Sequence, residues 1–164
     1  MRVVELLAPR RHNRTAFACG EPVLDTYLLE QAAQHHRDGI ATTHVLVDDA
    51  MPTRVLGYYT LSAAQLLLTE LHEADRRRLP SYPVPAVRMG RLAVAMDERG
   101  RGYGDFLLGH AVKCCLGLRD TLGVRVMLVD ALHDKAAGFY RAYGFRETEV
   151  GGHALYLPLA AHRT

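Results

Sequence analysis

An α/β (α+β) fold, a mixed sheet carrying helices on its faces, is predicted by three features of this sequence. Strand-like and helix-like patterns alternate from residue 86 to the C-terminal segment, an order that argues for helices packed on a sheet. The largely apolar run Val124–Val129 suits a strand covered on both sides. The β-branched and aromatic runs Thr42–Val47 and Arg54–Leu61 flank the turn residues Asp48–Pro52, which reads as a hairpin.

The elements follow in order. Val3–Leu7 is expected as an edge strand. Pro22 suits the first turn of a helix, and Val23, Leu24, Tyr27 and Leu28 recur on one face, so a helix is expected from Pro22 to about Arg37, stopped by Asp38-Gly39. A short helix bearing Arg76, Arg77 and Arg78 is expected over Leu71–Leu79 and is stopped by Pro80. Ala86–Val94 reads as a strand. From Gly102, residues Phe106, Leu107, His110, Ala111, Cys114, Cys115 and Leu118 recur at three and four, predicting a helix to Leu122 with Gly123 as its cap. A last helix over Asp134–Ala142 leads through Gly144-Phe145 to a closing strand near Leu155–Leu157.

Length and composition set the bounds. At 164 residues with 49% hydrophobic and 23% charged residues, the chain fits a single domain with its own core, residues 1–164. A formal charge of +2 is too small to announce a nucleic-acid binder by itself. The cations are almost all arginine, Lys113 and Lys135 being the lysines, and guanidinium favours planar contacts to phosphate and carboxylate. Cys19, Cys114 and Cys115 match neither a disulfide framework nor a metal site, which fits a reduced, cytoplasmic compartment. Nothing reads as a signal peptide or membrane span, and the nine histidines lack the His-x-x-x-His spacing of a helical metal pair, so no metal is implied.

The segment Arg99-Gly100-Arg101-Gly102-Tyr103-Gly104 lies between the strand ending near Val94 and the helix that follows. A helix start presents peptide N–H groups without internal partners and a partial positive charge, so it holds a diphosphate without many side chains. Two other glycine-rich motifs are excluded. A P-loop needs Gly-Lys, and no such pair occurs; a dinucleotide fingerprint ends in glycine, where Asp105 or Leu107 stands.

What the segment matches is Arg/Gln-x-x-Gly-x-Gly/Ala, filled by Arg99, Gly102 and Gly104, and Ala136 through Phe145 matches Ala-x-x-Phe-Tyr-x-x-x-Gly-Phe. Together they make the chain resemble the GCN5-related N-acetyltransferases (GNAT). That resemblance implies a mostly antiparallel sheet splayed between two central strands, with acetyl-coenzyme A in the cleft between Met89–Val94 and Val124–Val129. It implies that the main chain of Leu92, Ala93 and Val94 binds the pantetheine arm and thioester. It implies that Arg99, Gly100, Arg101, Gly102, Tyr103, Gly104 and Asp105 form the diphosphate loop. His133 stands where many members have asparagine, either bonding the cofactor arm or serving only as a polar helix start. Tyr140 is implied as general acid, because a phenol of pKa about 10 keeps its proton near neutrality and donates it to the departing thiolate; Tyr143 is the fallback.

Phe17-Ala18-Cys19-Gly20, Leu24-Asp25-Thr26-Tyr27-Leu28, Gly57-Tyr58-Tyr59-Thr60-Leu61-Ser62 and Gly90–Val94 extend the resemblance to the acetyltransferase toxins of toxin-antitoxin pairs. It implies acetylation of the α-amine of aminoacyl-tRNA, a small ribbon-helix-helix antitoxin as partner, and dimerisation as a common property of the family. An independent argument agrees. Ala86–Val94 carries no Asp or Glu as base, and an α-amine of pKa about 7.7 to 8.0 is roughly a tenth neutral at pH 7, against less than about a thousandth for lysine. Glu70, Glu73 or a chain of waters remain candidate bases. Arg76, Arg77, Arg78, Arg88 and Arg91, with Arg10, Arg11 and Arg14, are candidate contacts to tRNA phosphates, set against a solvated helix face. An acetyltransferase for a small amine or protein N-terminus, and a non-catalytic coenzyme A-binding protein, are the rival functions.

Overall fold

The computed structural model describes residues 1–77, 79, 83–149 and 151–159. Seven strands and five α-helices occur among them: β1 (Arg2–Leu6), α1 (Pro22–Glu30), α2 (Ala32–Arg37), β2 (Thr42–Asp48), β3 (Gly57–Leu66), α3 (Glu73–Arg76), β4 (Val84–Val94), α4 (Tyr103–Leu118), β5 (Val126–Asp130), α5 (Asp134–Tyr143), β6 (Arg146–Glu147) and β7 (Ala154–Pro158). The strand order is β1-β2-β3-β4-β5-β7-β6. The β1/β2, β2/β3, β5/β7 and β6/β7 pairs are antiparallel and β4/β5 is parallel, which makes the sheet mixed and mostly antiparallel as expected. By its internal contacts the chain divides into two units, Met1–Ser62 with Arg91–Ala111, and Ala63–Gly90 with the chain from Val112 onward.

In the first unit, β1 pairs Val3 with Val47, and β2 pairs His44 with Tyr59. Phe17, Tyr27, Leu28, Val45, Val47 and Tyr58 form its core, each large apolar side chain contributing about 1.5–3 kcal/mol when fully buried. The Tyr58 hydroxyl donates to the Leu24 carbonyl at 2.6 Å, so the phenol is buried without an orphaned polar atom. The single helix expected over Pro22–Arg37 is instead two, broken at Gln31, whose φ of −120° leaves the helical range. In one straight helix, residues eight apart lie about 12 Å apart along the axis. The bend brings His35 Nδ1 within 2.9 Å of the Tyr27 hydroxyl.

The third strand begins at Gly57 rather than Arg54. Arg54 is drawn away to Asp97 and Glu98, its guanidinium donating at 2.8 and 2.7 Å. Gly57 itself abuts β4 and α4: a Cβ there would stand 2.8 Å from the Ala93 carbonyl oxygen and 2.8 Å from Leu107 Cδ1.

In the second unit, β4 and β5 run in register from Ala86↔Val126 to Met89↔Val129, and β7 pairs with β5 on one side and β6 on the other. Leu66, Leu71, Val84, Val126, Leu128 and Tyr156 form its core. Three sequence expectations need correction. The helix expected over Leu71–Leu79 is one turn, because His72 and Arg77 at its ends are extended; Arg78 and the Pro80 stop lie outside the described residues. The α4 helix ends at Leu118, where Thr121 and Leu122 N–H groups close a turn on the Leu118 carbonyl, so Gly123 is not its cap. Phe106 is 47% exposed, since the buried stripe runs through Tyr103, Leu107, Leu108, Ala111, Val112 and Cys115.

The ring of His44 stacks on Tyr59 at 4.7 Å, and Tyr59 bonds His110 Nδ1 at 2.7 Å. Burial first, then repulsion from His110 and His36, pushes His44 down to about 4. An unfolded histidine titrates near about 6.5, so below that pH the unfolded chain takes up a proton that the native chain refuses. This contribution to stability is therefore complete above pH about 6.5 and lost as pH falls toward 4. Melting temperature should decline across that window, and His44→Phe should flatten the decline; thermal melts by circular dichroism at half-unit pH steps check it.

Candidate active site

In the first unit β4 leads into a 3-10 turn, Met96–Glu98, then the loop from Arg99 into α4. Gly100 and Gly102 sit at φ of +81° and +78°, the left-handed region that side chains disfavour, and open space surrounds both. The Phe106 N–H, bonded to the Gly102 carbonyl, is the first to close the helical pattern, so the amides just before it point out of the helix start with the positive end of its dipole. The two arginines of the loop both have partners within the chain. Arg99 donates to the Cys19 carbonyl at 2.7 Å, and Arg101 pairs with Glu98 at 2.9 Å. Met96 N–H also bonds the Ala18 carbonyl. A Cβ on Gly20 would stand 2.7 Å from the Arg99 guanidinium, so glycine there leaves that cation its place.

Anchoring by side chains thus leaves the backbone of Gly100–Asp105 open toward solvent, a cradle of peptide N–H groups that fits a diphosphate. Tyr103 is buried with the Arg2 guanidinium over its ring at 5.4 Å, which holds the first turn of α4. Ala93 is buried, Leu92 and Val94 are half-buried, and the Ala93 carbonyl lies against Gly57. The Arg91 guanidinium carbon lies over the Tyr27 ring, 3.5 Å from its centre, a cation–π contact.

In the second unit β5 ends at Asp130, and His133 caps α5, its Nδ1 accepting from Ala136 N–H at 3.2 Å. His133 thus forms the polar start of α5. Gly144, at φ +119°, terminates α5. Between these caps Tyr140 is buried, its ring edge-on to Phe139 at 5.3 Å and tilted to Phe145 at 5.6 Å. Burial, and secondarily the negative charge of Asp130, pushes the Tyr140 phenol far up, so it keeps its proton. Tyr143, the fallback, is 41% exposed.

Arg88 is ion-paired to Asp130. Arg76 is half-buried, Arg77 exposed, and Arg78 lies outside the described residues. Glu70 spends its carboxylate on the Leu67 N–H at 3.0 Å. Burial pushes the Cys19 thiol up to about 11 and that of Cys115 up to about 12, which removes both as nucleophiles. No group of three metal-ligating side chains occurs among the described residues. Sequence patterns missed the hold of Arg99 on Cys19, 80 residues away, and a polar network around Tyr156; neither leaves a local spacing to find.

Residues 41–147 match the acetyltransferase (GNAT) domain model. The chain belongs to the GNAT family, and is an N-acetyltransferase whose donor is acetyl-coenzyme A. Within that family it is similar to the tRNA-acetylating toxin of Mycobacterium tuberculosis, 39% identical over 142 residues, 84% of this chain and 83% of that protein. Among solved structures it resembles AtaT complexed with acetyl-methionyl-tRNAfMet, with TM-score 0.91, 27% identity and coverage of 98% and 96%. It also resembles a tyrosine-to-phenylalanine variant of AtaT bound to the C-terminus of the antitoxin AtaR and acetyl-CoA, with TM-score 0.82, 27% identity and coverage of 98% and 94%.

Valine at position 102 would be forced to a φ that β-branched residues avoid and would place a side chain in the cradle. Gly102→Val should therefore lower coenzyme A affinity by about tenfold or more, a loss near 1.4 kcal/mol, read by calorimetric titration with the melting temperature as control.

Proposed function

We propose that this protein acetylates the α-amine of an amino acid carried on tRNA and so blocks translation, as the cytoplasmic toxin of a toxin-antitoxin pair. The observation that carries the mechanism is Tyr140, a buried phenol held protonated at the end of α5. Substrate class rests on likeness to a protein named a tRNA-acetylating toxin and to AtaT in complex with acetyl-methionyl-tRNAfMet. A small antitoxin, of ribbon-helix-helix type, is the proposed partner, supported by the AtaR complex of the AtaT variant. Residues 1–164 are taken as one acetyltransferase domain, able to pair as a dimer.

Acetyl-coenzyme A supplies the acetyl group as an activated thioester. The N–H groups at the start of α4, with Gly100 to Asp105, would hold its diphosphate, and the main chain of Leu92, Ala93 and Val94 would orient its pantetheine arm. His133, already engaged as a cap, would flank that arm. Transfer forms an N–C bond and breaks a C–S bond. Tyr140 Oη keeps a proton for the departing sulfur, and the amine's proton leaves to solvent. No carboxylate stands on β4 to act as base, which suits an amine of low pKa.

The arginines Arg76, Arg77, Arg78, Arg88 and Arg91, together with Arg10, Arg11 and Arg14, would meet the tRNA backbone. Arg88, Arg91, Arg11 and Arg14 also have partners within the chain, in Asp130, the Tyr27 ring, Glu5 and the Leu29 carbonyl. Among the described residues that leaves Arg10, Arg76 and Arg77 as the cations of this set most available to phosphate.

Expression without an antitoxin should arrest growth, and Tyr140→Phe should relieve the arrest. In vitro the same variant should lose about 10²-fold or more in acetylation of aminoacyl-tRNA with coenzyme A affinity kept. Growth curves, a labelled-acetyl assay and calorimetry read the three; harmless expression with full activity in the variant sinks the proposal. KM for aminoacyl-tRNA should rise steeply with salt, as phosphate contacts require, and an assay from 50 to 200 mM salt reads the slope.

A further inference from the structure

The one-turn helix α3 is too short to persist on its own propensity, so its pose must come from what it touches. Tyr156 supplies the anchor. Its strand is paired on both sides, Leu128 and Arg146 standing opposite it on β5 and β6. Its ring is fully buried among Leu66, Leu71, Val84, Val126 and Leu128. The hydroxyl alone leaves this apolar packing, and both its functions are used: it accepts from the His72 N–H at 3.0 Å and donates to the Asp75 carboxylate at 2.6 Å. Asp75 also accepts from Arg146 at 2.6 Å. The His72 ring spans the Glu147 carbonyl at 2.9 Å and the Glu149 carboxylate at 2.7 Å, while Glu149 N–H bonds the Glu70 carbonyl at 2.9 Å.

Every polar tie of this network converges on residues 70–75, and the next two residues are Arg76 and Arg77. Among the described residues neither has a carboxylate partner, although Asp75 beside them has two donors. The network therefore uses Asp75 internally, while Arg77 and the other acid of α3, Glu73, are exposed and Arg76 is half-buried.

We propose that Tyr156 is a positioning residue for the nucleic-acid substrate: through Asp75 and the main chain of His72 it fixes α3 so that Arg76 and Arg77 meet the phosphates of aminoacyl-tRNA. This rests on the function proposed above. Burial and the Asp75 contact push the Tyr156 phenol up to about 12, so it remains a donor wherever the enzyme works.

Tyr156→Phe removes one oxygen from a packed ring, and Asp75→Asn keeps the shape of the acceptor. Each should raise KM for aminoacyl-tRNA about tenfold, the size of a hydrogen bond to a charged group. Neither should change kcat, coenzyme A affinity, or KM for an aminoacylated trinucleotide that ends before the contacted phosphates. Amide exchange over residues 72–77 should quicken while β7 stays protected, and melting should remain cooperative. Arg76→Ala/Arg77→Ala should raise the same KM alone. If the arginine variant raises KM but Tyr156→Phe leaves it at the native value, the positioning role is overturned. Should the arginine variant leave KM unchanged, this inference fails together with the phosphate assignment of those arginines, while the acetyltransferase function stands. A loss of kcat equal on both substrates would mark a merely structural role and also overturn it.

Discussion

The hydrogen bond from Arg99 to the Cys19 carbonyl is the contact on which the cofactor loop depends. It fastens the loop after β4 to the turn after Phe17, where Gly20 takes a φ of +92° that side chains disfavour. With Arg99 and Arg101 both engaged, the cation count of the motif overstates its charge toward a ligand. What faces outward is backbone at Gly100 and Gly102 and the open end of α4, so the proposed diphosphate site would draw on peptide dipoles already fixed in direction. A fixed array loses little entropy when a diphosphate arrives.

The second half of the chemistry is a proton held in the opposite kind of environment. Tyr140 lies among Phe139 and Phe145 with Asp130 as its nearest charge influence, and both burial and that charge disfavour the phenolate. In the proposed mechanism such a phenol would donate to the leaving thiolate and would serve poorly as a base. The lack of a carboxylate on β4 suits the proposed acceptor, an amine already partly neutral at working pH.

Much of the fold was legible because periodicity survives locally. The strands near Val3, Thr42, Ala86 and Leu155 and the helix after Gly102 appear within a few residues of their expected places. The failures share a cause. Gln31 breaks α1 from α2 although no helix breaker stands there, and the tie between Tyr27 and His35 that accompanies the bend has no helical spacing to reveal it. Arg54 leaves the strand pattern to reach Asp97 and Glu98, over 40 residues on. The loop motif and Tyr140 were visible as short patterns, whereas the anchoring of α3 by Tyr156 depends on a partner 81 residues away and has no local mark.

Gly57 deserves a last consideration because it lies on neither motif. Its bare α-carbon lets β3 come so close to Ala93 that even a methyl would press on that residue's carbonyl oxygen. The strand that meets it is the one whose main chain is proposed to hold the thioester arm. A side chain at position 57 would thus reach that backbone without touching a ligand.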